Sequence, residues 1–104
     1  MTHITEGAAL DMLMADATRE AKPVARALTR QPTQHEADAL ISIAFNCGGN
    51  AIAKSGLVRE INQGDWIAVG FQWKRWSKAG GRESKGLTKR RIAELNLFMR
   101  GEYT

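Results

Sequence analysis

Apolar residues three and four positions apart, in short runs closed by glycine, proline or Asn-Gln-Gly, constrain this chain more than any other feature. That spacing lines one face of a helix. A half-buried strand needs strict alternation, and no stretch alternates convincingly. The clearest run follows Thr33-Gln34-His35-Glu36, which reads as a capping box. Thr33 accepts from the backbone N–H of Glu36, and Glu36 reaches back to the N–H of Thr33. Ala37, Leu40, Ile41, Ala44 and Phe45 then form a stripe expected to be buried in a central helix. Cys47-Gly48-Gly49-Asn50 stops it, two glycines suiting positive φ and a tight reversal.

The other runs follow the same logic. Thr5 is placed to cap a first helix with Leu10, Leu13, Met14, Ala17 and Ala21 inward, and Pro23 is expected to end or kink it near Lys22. A short helix then carries Val24, Ala27 and Leu28 inward. Residues 51–54 suggest another short helix. Ser55 caps the next, with Leu57, Val58 and Ile61, and Asn62-Gln63-Gly64 terminates it. Asp65 caps a helix whose Trp66, Val69, Trp73 and Trp76 share one face, widened by Ile67 and Phe71. Trp66 and Trp73 are expected in the core, and Trp76, beside a glycine loop, partly exposed. Residues 77–86 read as that loop. Leu87 or Thr88 opens the last helix, with Ile92, Leu95, Phe98 and Met99 inward and Gly101 as its stop. The expectation is one all-α domain over residues 1–104, built from five to seven helices.

Composition excludes several classes. With 43% hydrophobic and 25% charged residues the chain is an ordinary globular one. A single cysteine, Cys47, excludes an internal disulfide and reads as a small apolar residue. Only His3 and His35 accompany it, so neither a catalytic thiol nor a metal site is expected, and no cofactor. No apolar run approaches the roughly 20 residues of a membrane span. Residues 1–7 lack the basic and apolar regions of a signal peptide, so the expectation is a cytoplasmic protein.

The net charge of +4 is unevenly spread. Lys74, Arg75, Lys78, Arg82, Lys85, Lys89, Arg90 and Arg91 form a basic strip against one acid, Glu83. Such a strip suits an anionic partner: a cell-wall polymer, nucleic acid or an acidic protein face. Cations in the first turn of the last helix oppose its dipole by a few tenths of a kcal/mol each. Arg90 and Glu94 are spaced to offset part of that, and an anion or acidic side chain is expected nearby.

Three segments together resemble the phage T4-type lysozymes and endolysins (glycoside hydrolase family 24). Residues 33–48 resemble the family's Thr-Gln-capped helix ending in Ala-Phe-Asn-x-Gly. Ala53-Lys54-Ser55 through Leu57 to Asn62-Gln63-Gly64-Asp65 is the second segment. Trp76-Ser77-Lys78-Ala79-Gly80-Gly81, followed by Gly86-Leu87, Lys89-Arg90-Arg91 and Glu94, resembles the family's Trp-Asn-Lys-Ala-Gly-Gly…Gly-Leu…Arg-Arg-Arg…Glu signature. Ile4-Thr5-Glu6 resembles the start of the long helix that joins the family's two lobes. The resemblance implies a lysozyme-like helical C-terminal lobe.

In the family, a preceding segment supplies a Glu, an Asp or Cys about nine positions on, and a later Thr, the paired groups that glycoside hydrolysis needs. Here Ala15, Thr29, Phe45, Val69, Ile92 and Tyr103 stand nine positions after Glu6, Glu20, Glu36, Glu60, Glu83 and Glu94. None is Asp or Cys, so the expectation is a chain without the catalytic segment and with no catalytic residue. By resemblance, Asn46, Gly48, Trp76, Lys78, Gly80 and Arg90 would form or support one wall of the substrate cleft. Two functions follow. One is a non-hydrolytic phage or prophage protein, in the cytoplasm of a bacterial host, that binds a host protein such as a defence or wall system. The other is a peptidoglycan-binding part of a muramidase, active only with the missing segment. Nonspecific nucleic-acid binding ranks last, since no recognised DNA-binding motif accompanies the strip. An uncovered lobe interface would also favour a homo-oligomer.

Overall fold

A computed structural model describes residues 18–103. Its elements, in order, are α1 (18–27), α2 (Gln34–Cys47), α3 (Gly49–Ala53), α4 (Gly56–Gln63), α5 (Trp66–Lys74), a hairpin of β1 (Lys78–Ala79) and β2 (Arg82–Glu83), and α6 (Lys85–Arg100). Helices α2 and α6 pack along each other, α4 packs on α5, and α3 bridges α2 and α4. The expected cap at Thr5 and inward face from Leu10 to Ala17 lie outside the described residues. Among the described residues no helix is long and apolar enough to cross a membrane.

Local chemistry sets most of the boundaries. Glu36 Oε1 accepts from the Thr33 backbone N–H at 2.9 Å, the Glu36 half of the predicted box. Ser55 Oγ accepts from Leu57 N at 3.2 Å, and Asp65 Oδ1 from Ala68 N at 3.2 Å, so both predicted caps hold their helices. Asn62 does more than end α4. Its side chain donates to the Ala27 carbonyl at 2.9 Å and accepts from Thr29 N at 3.0 Å, clamping the end of α1.

Several expectations are corrected. The helix does not end at Pro23: α1 is helical on both sides of it, with Val24 buried. The last helix opens at Lys85, earlier than expected, because Ser84 Oγ caps it by accepting from Leu87 N. That shift moves Lys89, Arg90 and Arg91 out of the first turn. The loop at 77–86 contains the short hairpin, with Lys78 opposite Glu83 and Ala79 opposite Arg82. Gly80 and Gly81 both have positive φ, 59° and 82°, the backbone a two-residue hairpin turn requires.

The core gathers Leu40, Ile43, Ile52, Leu57, Val69, Trp73 and Phe98, with the Trp73 and Phe98 rings 5.2 Å apart. Trp66, expected inside, is 41% exposed at the rim, with the Arg30 guanidinium 5.8 Å from its ring centroid. Trp76, expected to be partly exposed, is so, with its buried part packed against the core. Phe45, Ile67, Phe71, Ile92 and Met99 were all expected inward and all lie exposed. On α6 the expected Phe98 is buried and Leu95 packs against the core, while Arg91 and Glu94 take the inward places that Ile92 and Met99 were expected to fill.

The two adjacent glycines have different jobs. Gly48 takes φ 96°, which lets the chain leave α2. Gly49 is helical, and its role is close approach: a Cβ there would lie 1.7 Å from the Glu20 carbonyl oxygen. Its N–H also donates to Glu20 Oε1 at 3.0 Å, tying α1 to the α2–α3 corner.

Candidate functional site

The end of α2, the segment after α5 and the first turns of α6 meet around a cleft of about 440 Å³. Asn46, Cys47, Arg75, Trp76, Lys78 and Leu87 line it. Each arrives for a local reason. Gly48 ends α2 just past Asn46 and Cys47. Asp65 sets the start of α5, so Arg75 and Trp76 fall where that helix runs out. The Gly80-Gly81 turn folds Lys78 back toward α6.

Arg91 holds these pieces together from below. It is fully buried, and its Nη2 donates to Asn46 Oδ1 at 2.9 Å and to Glu94 Oε2 at 3.1 Å. Its Nη1 donates to the Trp76 carbonyl at 3.3 Å and contacts Cys47 Sγ. Its Nε lies 2.8 Å from Glu94 Oε1, an ion pair without hydrogen-bond alignment. Glu94 also accepts from Trp73 Nε1 at 3.2 Å and from the Ser42 hydroxyl. The Arg91–Glu94 pair is therefore the acidic neighbour expected for the basic cluster. Placing Arg91 on a partner-binding strip is corrected, since a side chain with no solvent exposure presents no charge to a partner.

Of the predicted cleft-wall residues, the structure brings Asn46, Trp76 and Lys78 together in the lining. Gly48 supplies the turn beside them and Gly80 the hairpin turn. Arg90 points elsewhere. It pairs with Glu94 at 3.4 Å and lines a separate pocket of about 210 Å³ with Ser42, Glu102 and Tyr103. Cys47 and Leu87 join the wall without having been predicted there. A third cavity, about 430 Å³ between α1 and α2, is lined mainly by Ala, Val, Leu, Ile and Pro side chains and holds none of the predicted residues.

Among the described residues the cleft offers an aromatic ring, an amide and two cations, and no carboxylate lines it. Nearby acids hold the fold: Glu20 caps Gly49, and Glu83 accepts from the Ser77 and Thr88 hydroxyls. Burial pushes the Cys47 thiol up, partly opposed by Arg91, so it is no ready nucleophile at neutral pH. This wall can bind a polar or anionic ligand. Among the described residues it shows no carboxyl group to donate a proton to a glycosidic oxygen.

Residues 1–94 match the phage lysozyme family. The chain is 38% identical to the endolysin of Bacillus phage PZA over 98 residues, which is 94% of this chain and 38% of that protein. Over 89 residues it is 37% identical to the SAR-endolysin of Escherichia phage Mu, covering 82% of this chain and 52% of the relative. Among solved structures it is similar to the endolysin from Escherichia coli O157:H7 phage FAHEc1, with TM-score 0.84 and 28% identity over 97% of this chain and 66% of that one. It is also similar to the muramidase domain of SpmX from Asticaccaulis excentricus, with TM-score 0.78 and 27% identity, covering 92% of this chain and 68% of that one. The chain thus spans well under two thirds of the endolysins from the Bacillus phage and phage Mu. With residues 1–94 matched by the family and 38% identity to an endolysin over 94% of its length, the chain belongs to the phage lysozyme family.

Proposed function

We propose that this chain is the peptidoglycan-holding helical part of an endolysin. Its cleft wall of Asn46, Arg75, Trp76 and Lys78 grips the wall polymer, and bond cleavage depends on carboxylates that are not among the described residues of this wall. The observation that carries the reading is the composition of the cleft among the described residues: one aromatic, one amide, two cations and no acid. Support comes from relatives named endolysins and from likeness to a muramidase domain. Titrating the chain with soluble muropeptides by calorimetry tests it. Lys78→Glu is expected to weaken binding about tenfold or more, since it places a like charge against an anionic ligand. Unchanged affinity in that variant counts against the reading.

The alternative, a non-hydrolytic ligand of a host protein, draws on the exposed cations Lys74, Arg75, Lys78, Arg82, Lys85 and Lys89. Capture of one specific host protein, lost on reversing Lys85 and Lys89, would favour it over wall binding.

A further inference from the structure

The outer side of the α5–α6 pair leaves unusually large apolar side chains in water. Ile67 is 78% exposed and Phe71 70%, one turn apart on α5. Ile92 and Met99, each 42% exposed, share a face of α6 two turns apart. Gly70 marks where the two helices come close, since a Cβ there would lie 3.8 Å from Leu95 Cδ2. The core does not need these four residues; the same helices serve it with Val69, Trp73 and Phe98.

The helical phase that carries Ile67 to Phe71 continues to Lys74 and Arg75. On α6 it places Lys85 and Lys89 ahead of Ile92. All four cations are exposed, and none forms an ion pair among the described residues. By contrast Arg30, Arg59, Arg90 and Arg91 are all paired. Between Trp66 and Ala93 the one acid is Glu83, already held by Ser77 and Thr88. An apolar seam with unpaired cations at one end and no free acid has the chemistry of an interfacial helix pair.

We propose that this α5–α6 face docks peripherally on an anionic phospholipid bilayer, with Ile67 and Phe71 entering the headgroup boundary and Lys74, Arg75, Lys85 and Lys89 meeting lipid phosphates. Charge complementarity selects this occupant. A second copy would bring another cationic face and no acid to meet it. A nucleic acid would use the cations and leave Ile67 and Phe71 in water. Apart from Arg75, which also lines the cleft, the proposal stands independently of that site.

Co-sedimentation of the full chain with vesicles of phosphatidylcholine alone, and with about one third phosphatidylglycerol, tests it at physiological salt. The expected result is at least about tenfold tighter binding to the anionic vesicles. Ile67→Ser with Phe71→Ser, and separately Lys74→Ser with Lys89→Ser, each lose about tenfold while far-UV circular dichroism stays unchanged. Tyr103→Ser, 64% exposed and off these helices, leaves binding as it was. Equal or absent binding to both vesicles overturns the proposal. So does full binding by the Ile67/Phe71 double variant, because any polyanion would then suffice. Self-association in sedimentation velocity that the same double variant abolishes also overturns it, making a second copy the occupant.

Discussion

Replacing Arg91 by Met removes a buried cation and leaves Glu94, only 5% exposed, without its main counter-charge. Lost with it are the donors to Asn46 Oδ1 at 2.9 Å, Glu94 Oε2 at 3.1 Å and the Trp76 carbonyl at 3.3 Å. Ser42 and Trp73 still donate to Glu94, and Arg90 remains 3.4 Å away but half-exposed. Breaking a buried pair on one side costs about 3–5 kcal/mol, because one charge is left stranded. A domain this size holds about 5–15 kcal/mol in all. With a urea slope of about 2 kcal/mol per molar, the midpoint should fall by about 2 M. Glu94→Gln strands Arg91 in the same way and should cost a similar amount. The double variant strands neither charge, so its loss should fall short of the sum by at least about 2 kcal/mol. Urea titrations of all four proteins, followed by tryptophan fluorescence, measure this. A single-variant loss under about 1 kcal/mol, or additivity within about 0.5 kcal/mol, refutes the claim that Arg91 and Glu94 jointly hold the cleft wall.

Other consequences are as concrete. Gly49→Ala puts a Cβ 1.7 Å from the Glu20 carbonyl and must displace backbone, so thermal melts should show a loss of at least about 3 kcal/mol. Gly48→Ala meets no atom within 4 Å and carries only the strain of its positive φ, about 1–3 kcal/mol; equal losses at both positions would contradict the close-approach argument. The Arg30 guanidinium, bonded to Glu36 at 2.8 and 3.0 Å, holds that carboxyl down to about 2 against an ordinary 4.5. A depressed carboxyl stabilises fully above about pH 4.5, and its contribution disappears as pH falls toward about 2. With the Arg30 side chain 41% exposed, solvent screening reduces this to about 1 kcal/mol. Stability measured across that window should flatten in Arg30→Gln, and an unchanged pH profile would refute the pairing.

How much of this was legible in the sequence depended on range. Caps at Thr33, Ser55 and Asp65 bond within three residues, so local residue types sufficed. The orientation of α5 was not legible, because Trp66-Ile67-Ala68-Val69-Gly70-Phe71 is apolar on nearly every side. Periodicity then fails to select a face, and Trp73 won the core while Trp66, Ile67 and Phe71 did not. On α6, charge masked the phase. Leu87, Arg91, Glu94 and Phe98 sit at helical spacing, and an ion pair within that stripe was the signal that placed Arg91 inside. The hairpin strands are two residues each, too short for alternation to show, although Gly80-Gly81 marked the turn. The cleft wall was reachable only through family resemblance, since Asn46, Trp76 and Lys78 come from three separate elements.

The central claim is that the described cleft wall holds peptidoglycan and does not itself cleave it. Its most direct test mixes the 104-residue chain with purified bacterial walls and follows both co-sedimentation and turbidity. The account predicts bound protein, binding about tenfold weaker in Trp76→Ala and in Lys78→Glu, and turbidity that does not fall. Walls cleared by this chain alone, or binding undiminished in both variants, would contradict it.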